Sequence, residues 1–267
     1  MTVPRIATAA HVRRMGHGTA PAVLLHCALA HGGAWGGVMA QLGGRIAALA
    51  PDMPGHGQSP AWDGTGDIFD LVTAAAADCL DAPAHVIGHS FGAVIALRLA
   101  LECPDRVRSL MLIEPVLFRA ALTEDPAAFE AYCAWDRPMA DAMEAGRWDA
   151  AAQHFTASWG TGQDWQSMSQ AQRDRYAVQM RLVNGTRPAL MDDRAGLLAP
   201  GRLEGLRMPV RLLRGDATLP IMTPIHRALA RRVPGAQNEV VEGAGHMLPI
   251  SHPGATAQHI ATLLDRV

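Results

Sequence analysis

The stretch Gly88-His89-Ser90-Phe91-Gly92 constrains this chain more than any other. Before it lies Ala84-His85-Val86-Ile87, a short apolar run suited to a buried strand. After it lies Ala93-Val94-Ile95-Ala96-Leu97-Arg98-Leu99-Ala100-Leu101, which reads as a helix. A strand that turns directly into a helix forces the residue at the turn into a strained backbone conformation. Strand and helix then approach closely only if the residues two before and two after the turn are small, and Gly88 and Gly92 meet that need. The Ser90 hydroxyl is thereby raised above the sheet edge, beside a helix N-terminus that favours developing negative charge. The pentapeptide alone is weak evidence; between a strand and a helix it makes Ser90 the candidate nucleophile.

Strand-like and helix-like segments alternate along the rest of the chain, which predicts a mostly parallel sheet covered on both faces. Strands are expected at Ala22–Leu25, Ile46–Ala50, Val107–Ile113, Val210–Leu213 and Glu239–Val241. Helices are expected from Asp67, as cap, to about Leu80, from Thr223 to Val233, and after His252-Pro253. Between Pro115 and Leu206 strand signals vanish, and helical stretches appear at Pro126–Trp135, Trp148–Trp159 and Ser169–Leu182. The expected organisation is a core of residues 1–114 and 207–267 interrupted by a helical cap, residues 115–206. That segment holds Trp135, Trp148, Trp159 and Trp165, four of the six tryptophans, and of these Trp135 and Trp159 are candidate walls of an apolar pocket.

Composition excludes several classes. The 267 residues suffice for one large domain, and the formal net charge of −2 gives no general attraction to nucleic acid or anionic membrane. Neither a leader-like apolar run in Met1–Ala10 nor a run of about 18 apolar residues is present, so a cytoplasmic protein without membrane partners is expected. Cys27, Cys79, Cys103 and Cys133 lack paired metal spacing and fit reduced thiols. No phosphate cradle, nucleotide fingerprint or clustered Cys/His pattern calls for a cofactor or metal.

Four motifs recur in order: Leu24-Leu25-His26, then Asp52-Met53-Pro54-Gly55-His56-Gly57-Gln58-Ser59, then the Ser90 elbow, then Gly243-Ala244-Gly245-His246-Met247-Leu248-Pro249. In these the chain resembles the α/β-hydrolase superfamily over nearly its full length. The resemblance implies a serine hydrolase with a cap, and no particular substrate. A serine hydroxyl is a poor nucleophile at neutral pH without a base, and His246, in a Gly-rich loop after the last strand, is the candidate base.

The acid departs from the family pattern. The resemblance places it three residues beyond Gly215, where this chain has Thr218. Two carboxylates are available: Glu114, at the end of the strand after the elbow helix, and Asp216, in the expected loop but two positions early. Glu114 is preferred, because a carboxylate at the carboxyl end of a central strand faces the site and is costly to bury without a partner. Asp216 stays open as the alternative, with a turn-shaping role as its plainer reading.

The backbone N–H of Phe91 is one expected oxyanion donor, and by family position that of Ala28 is the other. Relatives commonly have His-Gly where this chain has His26-Cys27, so a different loop geometry is expected there. His26, His56 and His89 lie in motif turns and are expected to satisfy backbone groups. The resulting expectation is hydrolysis of a small, largely apolar ester, thioester, lactone or activated carbon–carbon bond through an acyl-enzyme. The alternatives are a non-catalytic small-ligand-binding protein on the same fold, or a cofactor-free perhydrolase using the same three residues.

Overall fold

The apolar runs become strands because alternate residues bury on opposite faces. In the computed structural model, which describes residues 10–267, seven strands among the described residues form one sheet. They are β1 Val12–Met15, β2 Ala20–Leu25, β3 Ile46–Pro51, β4 Ala84–His89, β5 Val107–Ile113, β6 Val210–Gly215 and β7 Gln237–Val241. Their order is β1-β3-β2-β4-β5-β6-β7, with β1 antiparallel to β3 and every other pair parallel. Met1–Ala9, part of the stretch where no leader was expected, lies outside the described residues.

Val23, Leu25, Val86, Leu110, Leu112 and Leu212 enter one core cluster, while Ala22, Leu24, Ile87, Met111, Ile113 and Leu213 enter the other. This period of two, apolar on both faces, is what a parallel sheet buried between helix layers requires. The helices are α1 Gly36–Gln41, α2 Ile68–Ala77, α3 Phe91–Glu102, α4 Arg119–Glu124, α5 Pro126–Glu144, α6 Trp148–Trp159, α7 Gln170–Met191, α8 Met222–Arg232, α9 Leu248–Ser251 and α10 Pro253–Leu264. Helices α2, α3 and α8 supply the first cluster; α1 and α10 close the second.

Local chemistry sets the boundaries. Asp67 caps α2 by accepting from the N–H groups of Phe69 and Asp70. That helix stops at Ala77 rather than Leu80, because Cys79 and Leu80 bond back three residues, to Ala76 and Ala77, in a tightened turn. Helix α5 runs past the expected end at Trp135 to Glu144, through Pro138, and α7 runs past Leu182 to Met191, through Pro188. Edge strand β1 was not expected from the sequence: it is half-exposed, and Arg13 and Arg14 mask its pattern. Helices α4 to α7 follow β5 without an intervening strand. They pack in sequence on one another, with α4 against α8 and α7 against α2. The α7–α2 contact is close at Gly185, where a Cβ would lie 3.0 Å from the Trp62 ring and 3.1 Å from Ile68 Cγ2.

Candidate active site

Strand β4 ends at His89, and Ser90 turns the chain into α3 with φ 57° and ψ −118°. For a non-glycine residue this is a strained conformation, held here by its surroundings. The Ser90 N–H donates to Ile113 O at 2.8 Å, extending the β4–β5 ladder to the turn itself. A Cβ on Gly88 would lie 2.2 Å from Gly92 O, and one on Gly92 would lie 2.3 Å from Leu25 O and 2.5 Å from His26 O. Both glycines are therefore required by backbone contact, against the elbow helix in one case and the end of β2 in the other.

Glu114 repeats the pattern on the neighbouring strand. It follows β5 with φ 50°, its N–H donates to Leu213 O at 2.9 Å, and it is fully buried. Its carboxylate is saturated: Oε1 accepts from the Gly215 N–H at 2.8 Å, and Oε2 accepts from the Thr218 hydroxyl at 2.7 Å. The same Oε2 lies 3.0 Å from His246 Nδ1, and His246 Nε2 lies 2.9 Å from Ser90 Oγ. A single line of hydrogen bonds thus runs from a buried carboxylate through an imidazole to the strained serine. The His246 loop is held to the elbow by His89, whose Nε2–H donates to His246 O at 2.8 Å. The Trp159 ring stands edge-on to the His246 imidazole at 4.6 Å between centroids.

Asp216 takes no part in this line. It is exposed, and its Oδ1 accepts from the Gly243 N–H at 2.7 Å, bracing the loop that carries His246. Thr218, at the position where the family pattern has its acid, donates its hydroxyl to the Glu114 carboxylate.

The loop after β2 is fixed by neutral histidines. His26 Nε2 accepts from the Met53 N–H at 2.9 Å while its Nδ1–H donates to Cys27 O at 2.7 Å. His56 Nε2 accepts from the Leu29 N–H at 3.0 Å, and its Nδ1–H donates to Pro54 O. Burial is the main cause that lowers the pKa of His26 to about 3 and of His56 to about 4, so both rings stay neutral acceptors. Asp52 accepts from the N–H groups of Gly32 and Gln58 and pairs with Arg13, tying the same two loops together. The positive φ in this loop falls on Leu29, at 62°, and not on Cys27, so the missing glycine is not needed there. Burial pushes the Cys27 thiol up to about 12, which keeps it protonated and inert.

Ser90, Phe91 and Ala28 share an inner cavity of about 530 Å³, mouth included, whose walls are mostly apolar: Phe118, Tyr132, Trp159, Leu182 and Leu190 among them. Among the described residues, neither the Phe91 N–H nor the Ala28 N–H has a protein acceptor. A larger outer cavity, about 970 Å³ with its open mouth included, meets it at Ala28, Phe155 and Trp159, and opens past His31, Gln163 and Met247. Trp159 therefore lines both cavities. Trp135 lines neither: it packs behind, edge-on to Trp159 at 6.3 Å and near Tyr132 at 5.8 Å. Tyr132 carries no sequence signal of a wall, because one tyrosine within an amphipathic helix reads as ordinary core. Among the described residues, no cluster of His, Cys, Asp and Glu has the arrangement of a metal site.

A profile of the alpha/beta hydrolase family matches residues 22–259. The chain belongs to that family. The pimeloyl-(acyl-carrier protein) methyl ester esterase of Aeromonas salmonicida is 30% identical over 251 residues, spanning 91% of this chain and 94% of that protein. The enzyme of the same description from Nitrosomonas europaea is 39% identical over 103 residues, 39% of this chain and only about two-fifths (40%) of that protein's length. A hydrolase from Pseudomonas aeruginosa superposes with a TM-score of 0.73 at 20% identity, covering 97% of each chain, which shows that the fold is shared. No helix among the described residues of this alpha/beta hydrolase is long and apolar enough to cross a membrane.

Proposed function

We propose that this alpha/beta hydrolase is a serine carboxylester hydrolase acting on a small, largely apolar ester through an acyl-enzyme. The observation that carries the reading is the unbroken line Ser90–His246–Glu114, with contacts of 2.9 and 3.0 Å, opening on an apolar cavity. Ser90 Oγ attacks the ester carbonyl as its proton passes to His246 Nε2. Glu114 holds the ring by Nδ1 and stabilises the imidazolium that forms. The carbonyl oxygen becomes an oxyanion, received by the unengaged N–H groups of Phe91 and Ala28. His246 then protonates the departing alkoxide. A water molecule, deprotonated by the same ring, releases the acid and restores Ser90.

Residues 115–206 act as the cap in this reading, with Trp159 screening the His246 ring from solvent and dividing the acyl-side cavity from the outer one. An ester, rather than another acyl compound, is favoured by the methyl ester esterases among the relatives. Thioesters and lactones call on the same steps. Perhydrolysis would also use the same residues, with peroxide in place of water. The engagement of Glu114 by Gly215, Thr218 and His246 supports the enzyme reading over a non-catalytic binder. No cofactor enters any step, and the unpaired cysteines suit a reducing cytoplasm.

The test is turnover of short p-nitrophenyl esters together with labelling by a fluorophosphonate probe. Ser90→Ala is expected to lose labelling and to lower kcat by at least about 10⁴-fold. Turnover persisting in that variant would refute the mechanism.

A further inference from the structure

The inner cavity has one charged wall residue, Arg187 on α7, and the ester chemistry above makes no use of it. Its Nη1 lies 2.7 Å from Asp136 Oδ2 on α5; the Asp136 side chain is 2% exposed and that of Arg187 24%. Burying a carboxylate to hold a guanidinium at a cavity wall costs desolvation that apolar side chains would avoid. The arrangement is also incomplete. Asp136 Oδ1 has no hydrogen-bond partner, and among the described residues the guanidinium has no protein acceptor other than Asp136. Five donors in a planar fork leave several to offer to a bound molecule. The neighbouring hydroxyl does not compete, since Thr186 Oγ1 already donates to Val183 O at 2.8 Å.

Charge decides what that molecule brings. Arg187 and Asp136 together are neutral. A second carboxylate on the same guanidinium would leave a net negative charge in an apolar cavity, whereas an uncharged oxygen would add an acceptor at no such cost. The nearby Tyr132 hydroxyl stays protonated, since burial raises its pKa well above the usual value, so it too adds no charge. We infer that Arg187, oriented by Asp136, selects esters whose acyl chain carries a neutral oxygen, keto or hydroxyl, away from the scissile carbonyl. The inference rests on the esterase reading and deepens it.

The experiment compares kcat/KM for matched p-nitrophenyl esters: a plain acyl chain, the same chain with a keto oxygen at successive positions, and the same chain ending in a carboxylate. In the wild type, the keto ester is expected to exceed the plain one by about tenfold or more at one or two positions. The carboxylate-ended ester is expected to do no better than the plain one. The double substitution Asp136→Asn with Arg187→Met leaves no buried charge unpaired. Circular dichroism and a melting curve establish that it folds, and the keto-to-plain ratio is expected to collapse toward one. Should that variant not fold, Arg187→Lys, which keeps the charge and loses the fork, is expected to lower the ratio at least about threefold. No keto preference in the wild type, a ratio unchanged in the folded variant, or preference for the carboxylate each overturns the inference while Ser90-dependent turnover stands. Absence of Ser90-dependent turnover on every ester overturns the esterase reading, and this inference with it.

Discussion

The carboxyl edge of the sheet and the helical segment 115–206 face each other across one cavity and are built on opposite terms. At the edge, Ser90 and Glu114 sit at positive φ, two glycines touch backbone that would reject a Cβ, and Glu114 has both oxygens engaged. In the segment, contacts are made by rings: Phe118 stacks on Tyr132 at 4.4 Å, and Trp159 meets Tyr132, Trp135 and His246 at angles. Two of its helices run through an internal proline, and Asp136 keeps an unpartnered oxygen. The proton transfer proposed for the edge demands fixed distances, and the edge is over-determined accordingly. Substrate fit needs shape and a few polar contacts, and rings and orphan groups provide for that.

If this division holds, substitutions at the edge change kcat by orders of magnitude and those in the segment change selectivity by less. Glu114→Gln preserves shape and is expected to lower kcat by about 10³–10⁴-fold on a p-nitrophenyl ester, while Asp216→Asn stays within about twofold. The reverse order of effects would return the acid to the loop after β6.

Acid should strike the edge through its neutral histidines. Burial lowers the pKa of His26 and His89 to about 3 and of His56 and His226 to about 4. In the unfolded chain these rings titrate near 6.5, so between that pH and the folded value the unfolded state binds more protons. Their stabilisation is therefore complete above about pH 6.5 and is lost as the pH falls toward 4. For His56 the loss is on the order of 3 kcal/mol. Urea titrations at pH 7.5 and 4.5 are expected to show a lower midpoint in acid; equal midpoints would mean that the rings are not neutral and buried in solution.

Trp159→Ala tests the boundary between the regions, since the ring touches His246 and lines both cavities. It is expected to lower kcat/KM roughly tenfold or more, whereas Trp135→Ala, one layer back, costs less than about threefold. Thr218→Val removes one neutral donor from Glu114 and is expected to lower kcat by about three- to tenfold. An effect as large as that of Glu114→Gln would make Thr218 an equal member of the site.

The same contrast explains what could be read from the sequence. The elbow was legible because its glycines, its strand and its helix all answer to local backbone geometry. His246 was legible through a glycine-rich loop in the right order, and Glu114 through the cost of burying a strand-end carboxylate. The role of Thr218 was hidden, since a threonine in a loop has no pattern until Glu114 folds beside it. Strand β1 was hidden by its arginines, and the ends of α5 and α7 by prolines that tertiary packing overrides. Trp135 and Trp159 looked equivalent in sequence. Their separation into buttress and wall depends on how α5 and α6 cross, which no local signal carries.

Glu114 is followed at once by Pro115 and the helical segment, so the carboxyl group that holds His246 and the joint of that segment are adjacent residues of one chain. Here a splice at residue 114 or 115 would cut into the hydrogen-bonded line that joins Glu114 through His246 to Ser90. A donor segment grafted onto this scaffold must begin after Pro115 and leave the Glu114 backbone bond to Leu213 intact. Under the proposed reading, the helical segment is interchangeable only from that residue onward.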